Sequence, residues 1–172
     1  MKLDSDDFEL FGLPRRFALD AAHLDARWRA LQAEVHPDRF VSDGAASQRV
    51  AMQWAVRVNE AYRRLKDPLA RAAYLCELAG EAVGGGDNNA MPQPFLMQQM
   101  QWREALADAQ DPAAIEALAG EVAAQARALE DEVRLDLDER GDAAAAARRV
   151  RELMFLARFR SDVNRRLEAL EL

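Results

Sequence analysis

Val35-His36-Pro37-Asp38-Arg39-Phe40 separates two helical patterns and so sets the architecture of the first half of the chain. Apolar residues recur at helical spacing up to the first of these positions, and a second helical pattern begins near Ala45. Pro37 has no backbone N–H, and it moves the residue before it out of the helical region. We therefore expect His36 and Asp38 to lie on an exposed loop between two helices.

The two helices beside this loop are each predicted from one apolar stripe. The first begins after Asp20, an effective N-cap residue, and the second ends at Asp67-Pro68, where proline takes the first position of another helix. That helix stops at Gly80, and a short helix over residues 6–11 opens the chain. The two long helices should pack antiparallel as a hairpin. Their stripes consist of Leu24, Trp28, Leu31 and Val35 in the first, and of Val50, Trp54, Val58, Ala61 and Leu65 in the second.

The second half of the chain follows a linker at residues 84–89, which is rich in glycine and asparagine and has no periodicity. Three further helices are predicted after it. They are separated at Asp111-Pro112, where an N-cap precedes a proline, and at Gly141-Asp142. We therefore predict an all-α protein with a helical domain over residues 1–80, a linker over 81–93 and a three-helix bundle over 94–172.

Charge is distributed unevenly over the 172 residues, whose formal net charge is −7. Residues 1–80 carry 12 basic and 12 acidic side chains, whereas residues 81–172 carry 11 and 18. Nucleic-acid phosphates need clustered Lys and Arg, so an acidic half without a basic stripe argues against a nucleic-acid partner. No apolar run approaches the roughly 20 residues that cross a bilayer, so we expect no membrane partner either.

Cys76 is the single cysteine of the chain. It cannot form an intramolecular disulfide, so a reducing cytoplasm is the expected location. The N-terminus lacks a basic start followed by an apolar run, so we expect no secretory signal. A lone cysteine also excludes the usual thiolate zinc site, and we expect neither a metal nor a cofactor.

His36 could be a general base, a metal ligand or a recognition residue. With Asp38 it supplies two metal ligands at most, whereas zinc sites need three or four. The other histidine, His23, lies more than two helical turns back on a different face. The sequence contains no glycine-rich phosphate loop. We interpret the segment as a recognition loop. The alternative from a different class is a metal-dependent enzyme that uses His36 and Asp38, which metal analysis of the purified protein would reveal.

The first bundle helix carries two apolar faces where one would suffice. An α-helix turns by about 100° per residue. On that basis Phe95, Trp102 and Leu106 share one sector of the helix surface, and the second face is centred about 120° around the axis from it. Either both faces are buried against neighbouring helices, or the second is an exposed patch that binds a partner. Methionines favour the exposed alternative because flexible thioethers suit adaptable surfaces. The second face and its edge comprise Leu96, Met97, Met100, Gln101, Glu104 and Asp108. Phe155 on the last helix also lies to one side of the main apolar stripe of its own helix. That stripe consists of Leu153, Leu156, Val163, Leu167 and Leu170.

The helix, loop and helix around His36-Pro37-Asp38 resemble a J-domain, the module that activates DnaK-type ATPase chaperones. Further segments resemble the iron–sulfur co-chaperone HscB family, and they fall in order along nearly the whole chain. These segments are FELFGLP at 8–14, HPDRF at 36–40, VNEAYRRL at 58–65, PLARAAYL at 68–75 and FLMQQM at 95–100.

The resemblance implies an N-terminal J-domain and a C-terminal three-helix bundle in an L-shaped arrangement. We therefore expect a non-enzymatic co-chaperone, and with one cysteine and no cluster motif it should hold no cluster itself. The J-domain would engage a DnaK-type chaperone, HscA, and the bundle would bind and deliver the cluster scaffold IscU. The expected chaperone-binding residues are His36, Pro37, Asp38, Arg27 and Arg39, and the expected scaffold-binding residues are Leu96, Met97, Met100, Gln101, Glu104, Asp108 and Phe155.

The sequence departs from the family pattern at three points. Gln101 stands where the family often has an acid, and Val35 stands where an aromatic residue is common. The N-terminal cysteine pairs of eukaryotic members are missing, which indicates a bacterial-type protein. The alternative function is a general J-domain co-chaperone that delivers other clients. A scaffold-specific face should bind one folded protein, whereas a general one should bind many unfolded peptides.

Overall fold

The structure is a computed structural model that describes residues 2–84 and 91–171. Every regular element in these residues is helical, which confirms the predicted all-α class. The chain divides into two compact units, Met1–Leu75 and Cys76–Leu172. Positions 85–90 of the predicted linker lie outside the described residues. The domain boundaries drawn from the sequence at residues 80 and 94 stay predictions.

The first unit contains a helical hairpin and a short helix that precedes it. Asp20 caps the first long helix as expected, because its carboxylate accepts hydrogen bonds from the backbone N–H groups of Ala22 and His23. The predicted loop between the long helices is instead a short 3-10 helix, which begins at Pro37. The elements are α1 (Asp7–Phe11), α2 (Ala21–Val35), the 3-10 helix (Pro37–Asp43), α3 (Ala45–Lys66) and α4 (Pro68–Leu78), the last of which continues past residue 75.

Polar contacts fix the register between α2 and α3. The Trp28 ring stacks on Tyr62 at a centroid distance of 4.4 Å, and its Nε1 donates a 3.0 Å hydrogen bond to Oδ1 of Asn59. The Tyr62 hydroxyl donates to Oδ1 of Asp25 at 2.7 Å. This bond, together with the nearby Lys66 ammonium, lowers the pKa of the Asp25 carboxyl. The hairpin is therefore held by specific hydrogen bonds as well as by its apolar stripes.

The stripe predicted on α3 is wrong at its N-terminal end. Val58, like Ala61 and Leu65 after it, is fully buried, but Val50 is 50% exposed. Ala51 is buried instead, since it lies two turns before Val58 and therefore nearly on the same line along the helix. Val50 lies to one side of that line, where it borders an open groove.

The second unit contains the three predicted bundle helices. Asp111 caps the middle helix, and its carboxylate accepts a 2.8 Å hydrogen bond from the Ala114 N–H. Between the last two helices the chain forms a π-helical turn that the sequence did not predict, and Gly141 ends it in the left-handed region at φ 62°. The elements are α5 (Gln93–Asp108), α6 (Pro112–Arg134), the π-helical turn (Leu135–Arg140) and α7 (Ala143–Glu171).

Most of the predicted stripe residues of the second unit are buried, although Leu106, Leu167 and Leu170 are only half-buried. The Trp102 ring of α5 stacks on Phe159 of α7, with ring centroids 6.1 Å apart. Gln99 is also buried, because it lies four residues after Phe95 and three before Trp102 on the inward stripe of α5. The α6 stripe is buried throughout, at Ile115, Leu118, Val122, Ala126, Leu129 and Val133.

The turn between α6 and α7 is closed by a buried carboxylate. Asp136 is 1% exposed, and it pairs with Arg140 at 3.0 Å and with Arg149 of α7. Two guanidinium groups offset the cost of burying this charge. In the part of the chain that the structure describes, no helix is both long and apolar enough to span a membrane.

Candidate partner-binding surfaces

The HPD loop, His36-Pro37-Asp38, is presented to solvent at the end of α2. His36 is the C-cap of α2 in an extended conformation, and Pro37 then starts the 3-10 helix. The side chains of His36 and Asp38 are 59% and 86% exposed, and their Nδ1 and Oδ2 atoms lie 3.6 Å apart. The local chain therefore presents an imidazole and a carboxylate side by side, as the sequence predicted.

The His36 ring is oriented by the backbone. Its Nδ1 accepts a 3.3 Å hydrogen bond from the backbone N–H of Asp38. The neutral ring in this geometry carries its proton on Nε2, which can donate to a partner while the neighbouring carboxylate accepts. A turn that offers one donor and one acceptor suits recognition of a polar surface.

The two arginines predicted to flank this site lie in different places. Arg39 stays beside the loop and donates from Nη1 to the backbone oxygen of Ala33 at 3.1 Å, which satisfies a carbonyl near the end of α2. Arg27 lies nine residues before His36, about 13 Å away along the helix. It donates from Nε to the backbone oxygen of Phe11 at 3.0 Å and so fastens α1 to α2. Its part in chaperone binding stays a prediction.

An apolar groove beside the HPD loop was not found by sequence analysis. Its volume is about 610 Å³, and it opens where α2 ends and α3 begins. Phe40 and Trp54 line it and are only partly covered. The groove adds apolar area next to the polar HPD loop. Its other lining residues are Glu34, Val35, Asp43, Ala46, Ser47, Val50 and Ala51.

The second face of α5 is exposed rather than buried against a neighbouring helix, and its part in partner binding stays a prediction. Met97 and Met100 are 59% and 63% exposed, and Gln101 is exposed beside them. Leu96 is half-buried. We call this surface the α5 face and define it by the residues Leu96, Met97, Met100, Gln101, Glu104 and Asp108, of which the two acids are also exposed.

Phe155 of α7 borders the α5 face. Its ring meets Phe95 of α5 edge to face, with centroids 6.3 Å apart, and it is half-buried. The structure therefore brings Phe155 against Phe95, the residue that precedes Leu96 in α5. Phe155 is less exposed than the methionines, so its truncation would also disturb packing within the bundle.

Three arginines around Phe155 were missed by sequence analysis. Arg158 lies over the Phe155 ring, with Cζ 4.6 Å from its centroid. Arg103 of α5 and Arg165 of α7 both pair with Asp162, the former at 3.9 Å. The sequence spacing could have indicated part of this cluster, because Arg158 and Arg165 are seven residues apart and therefore lie on one side of α7.

The rival hypothesis of a metal-dependent enzyme receives no geometric support. Within residues 2–84 and 91–171, no three His, Cys, Asp or Glu side chains are grouped so that they could hold a metal ion. His36 and Asp38 remain a pair, as their spacing indicated.

Comparisons with known sequences place relatives along nearly the whole chain. A family model described as the HSCB C-terminal oligomerisation domain matches residues 91–164. The chain is 51% identical over 160 residues to a co-chaperone protein HscB homolog of Bordetella pertussis, covering 92% of this chain and 94% of that protein. It is 49% identical over 174 residues to the homolog of Burkholderia multivorans, covering 99% of both.

Solved structures of similar proteins share the fold. Chaperone HscB from Vibrio cholerae is 37% identical with a TM-score of 0.84, covering 98% of this chain and all of that one. Human co-chaperone protein HscB is 27% identical with a TM-score of 0.91, covering all of this chain and 86% of that one. The agreement extends over both halves of the chain.

Proposed function

This chain belongs to the HscB family of co-chaperones, which serves iron–sulfur cluster biogenesis, and from that membership we propose that it connects two partners. Its N-terminal J-domain stimulates the ATPase of a DnaK-type chaperone, HscA. Its C-terminal bundle binds the cluster scaffold IscU and delivers it to that chaperone. The chain itself acts by binding, and ATP hydrolysis takes place on the chaperone.

The HPD loop supports the chaperone half of this proposal. His36 and Asp38 are both largely exposed and lie beside each other, so one partner surface can contact them together. Arg39 adds a positive charge next to the loop, and the groove at Phe40 and Trp54 adds apolar area. A polar pair beside an apolar groove gives a docking surface both orientation and buried area.

The α5 face supports the scaffold half. Met97 and Met100 expose most of their side chains although they lie on a packed bundle helix, and such a patch with acidic neighbours is typical of a partner site. Glu104 and Asp108 lie at its edge. Because Gln101 is neutral, the acidic edge carries two charges rather than three, and we expect salt to affect binding accordingly.

The observation that carries the proposal is the presence of both surfaces in one chain whose HscB relatives match it from end to end. A general J-domain co-chaperone would need the HPD loop but not the α5 face. Scaffold specificity therefore depends on the α5 face. A general client function would appear as binding of unfolded peptides as tight as binding of the folded scaffold.

The test substitutes the two histidines in turn. His36→Gln should abolish stimulation of the chaperone ATPase and leave scaffold binding unchanged, because surface substitutions usually change stability by about 0.5 kcal/mol or less. Asp38→Asn should behave in the same way. His23→Gln is the matched control, since His23 is also exposed on α2 but lies away from the loop. ATP turnover with and without scaffold, and scaffold affinity by calorimetry, are the measurements.

Two results would contradict the proposal. The chaperone half fails if His36→Gln accelerates ATP hydrolysis as well as His23→Gln does. The scaffold half fails if the wild-type protein binds denatured peptides as tightly as it binds the folded scaffold.

A further inference from the structure

A groove between α5 and α7 carries a charge pattern that the proposed function leaves unused. Its volume is about 430 Å³. Three of the 11 basic side chains of residues 81–172 gather here, although that half of the chain carries 18 acidic ones. A local basic cluster in an acidic half indicates a specific use. We call it the Phe155 groove and define it by the residues that line it: Arg103, Phe155, Arg158, Ser161, Asp162 and Arg165.

Phe155 lines the groove and also contacts the apolar side of α5. Arg158 lies over this ring at 4.6 Å, and the ring meets Phe95 edge to face. The cation–π contact holds the guanidinium against the ring. A partner that covers Phe155 therefore meets the Arg158 charge in the same contact.

The cations of the groove outnumber its anions. Among the lining residues Asp162 supplies the one carboxylate, and it pairs with both Arg103 and Arg165. Each guanidinium offers five N–H donors, so one carboxylate leaves most of them to solvent. The side chains of Arg103 and Arg165 are 56% and 73% exposed. The groove can therefore accept a further anionic group from outside.

The charges also follow an order across the surface. Four side chains of α5 follow one another around the helix axis at steps of about 20–40°, starting from the side that faces α7. Their order is Arg103, Leu96, Met100 and Glu104. The surface thus changes from basic at the groove, through apolar residues, to acidic at the outer edge. Opposite charges on the two sides of an apolar centre allow a partner to bind in one orientation and oppose the reverse one.

We propose that an aspartate or glutamate carboxylate on the scaffold protein binds between Arg158 and Arg165 when the scaffold covers Phe155. This inference rests on the proposed function and adds a specificity site to it. Guanidinium groups bind carboxylates through paired N–H···O hydrogen bonds, which fix geometry as well as charge. The scaffold surface that fits is acidic on the α7 side and apolar at its centre.

The experiment compares three charge reversals on α7 in the full-length chain. Arg165→Glu should weaken scaffold binding about tenfold at 50 mM NaCl, since reversal both removes a pair and adds repulsion. Arg158→Glu should do the same. Arg160→Glu is the control, because Arg160 is exposed on the same helix about 140° around from Phe155. It should change the affinity by less than about twofold. At 500 mM NaCl the losses should shrink to about twofold, because salt screens exposed charges.

The identity of the bound group is tested by a rescue scan. Exposed Asp and Glu residues of the scaffold are changed singly to Lys and titrated against Arg165→Glu. One of these changes should raise the affinity for Arg165→Glu at least about threefold, because it restores an attractive pair. Circular dichroism of each variant verifies that it is folded. Arg158→Lys keeps the charge but not the paired N–H donors, so it should lose less affinity than Arg158→Glu but should not match the wild type.

The results separate this inference from the function on which it rests. If the wild-type protein does not bind the scaffold, both fail. If Met100→Ala weakens binding while Arg158→Glu and Arg165→Glu match Arg160→Glu, the proposed function stands and the groove has no part in it. If no scaffold acid rescues Arg165→Glu, or if the reversals change self-association of the chain instead, the carboxylate assignment is overturned.

Discussion

Replacement of Met100 by alanine tests whether the α5 face contributes to binding or to folding. Met100 is 63% exposed, so most of its side chain contacts solvent in the free protein. Complete burial of a methionine side chain is worth about 1.5–3 kcal/mol. The covered third therefore contributes about 0.5–1 kcal/mol to folding, and the exposed part leaves about 1–2 kcal/mol to be gained under a partner.

These energies predict different changes in two measurements. Scaffold binding by Met100→Ala should weaken about 5- to 30-fold, since each 1.4 kcal/mol is a factor of ten in Kd. The melting temperature should fall by only about 1–4 °C, at a few degrees for each kcal/mol in a chain of this size. Isothermal titration calorimetry with the scaffold and thermal denaturation followed by circular dichroism provide the two values.

Two control variants calibrate the comparison. Met52 is 58% exposed on α3 in the first unit, so Met52→Ala makes the same chemical change at a similar exposure and should leave scaffold affinity unchanged. Leu156 is 0% exposed on α7, and Leu156→Ala should cost about 2–5 kcal/mol of stability. The reasoning is refuted if Met100→Ala binds the scaffold as tightly as Met52→Ala, or if it melts as early as Leu156→Ala.

Three further predictions concern an N-terminal fragment and the cysteine. A fragment of residues 1–80 should be helical by circular dichroism and should stimulate the chaperone ATPase weakly without synergy from added scaffold; an unfolded fragment would show that this boundary cuts through a single core. Burial raises the pKa of Cys76 from its ordinary 9.0 to about 11. At pH 8 the native protein should therefore react with iodoacetamide about a hundredfold more slowly than the urea-unfolded protein, because the thiolate is the reactive form. Mass spectrometry measures both rates, and equal rates would contradict this burial. Because the folded-state pKa is the higher one, the stability conferred by the thiol is complete below pH 9 and should be lost as the pH rises towards about 11, which urea midpoints across that range would detect.

The sequence alone determined the helical architecture and the position of the HPD loop. N-caps at Asp20 and Asp111, and the helix break at Pro37, act through neighbouring backbone groups, so no distant part of the chain is needed to read them. The buried stripe on α6 follows from helical spacing alone, because its six apolar residues repeat at intervals of three and four. The resemblance to the family also came from contiguous segments, and the relatives confirmed it.

Tertiary structure decided which side chains are covered and which groups from separate helices meet. Val50 belongs to a helical stripe by spacing but is half exposed, since exposure depends on whether a neighbouring element reaches it. Met97 and Met100 could equally have faced a core, and only the packing of the bundle leaves them exposed. Arg103 reaches the arginines of α7 through a contact between residues about sixty positions apart. Such juxtapositions depend on how the helices pack against each other, and helical periodicity carries no information about that packing.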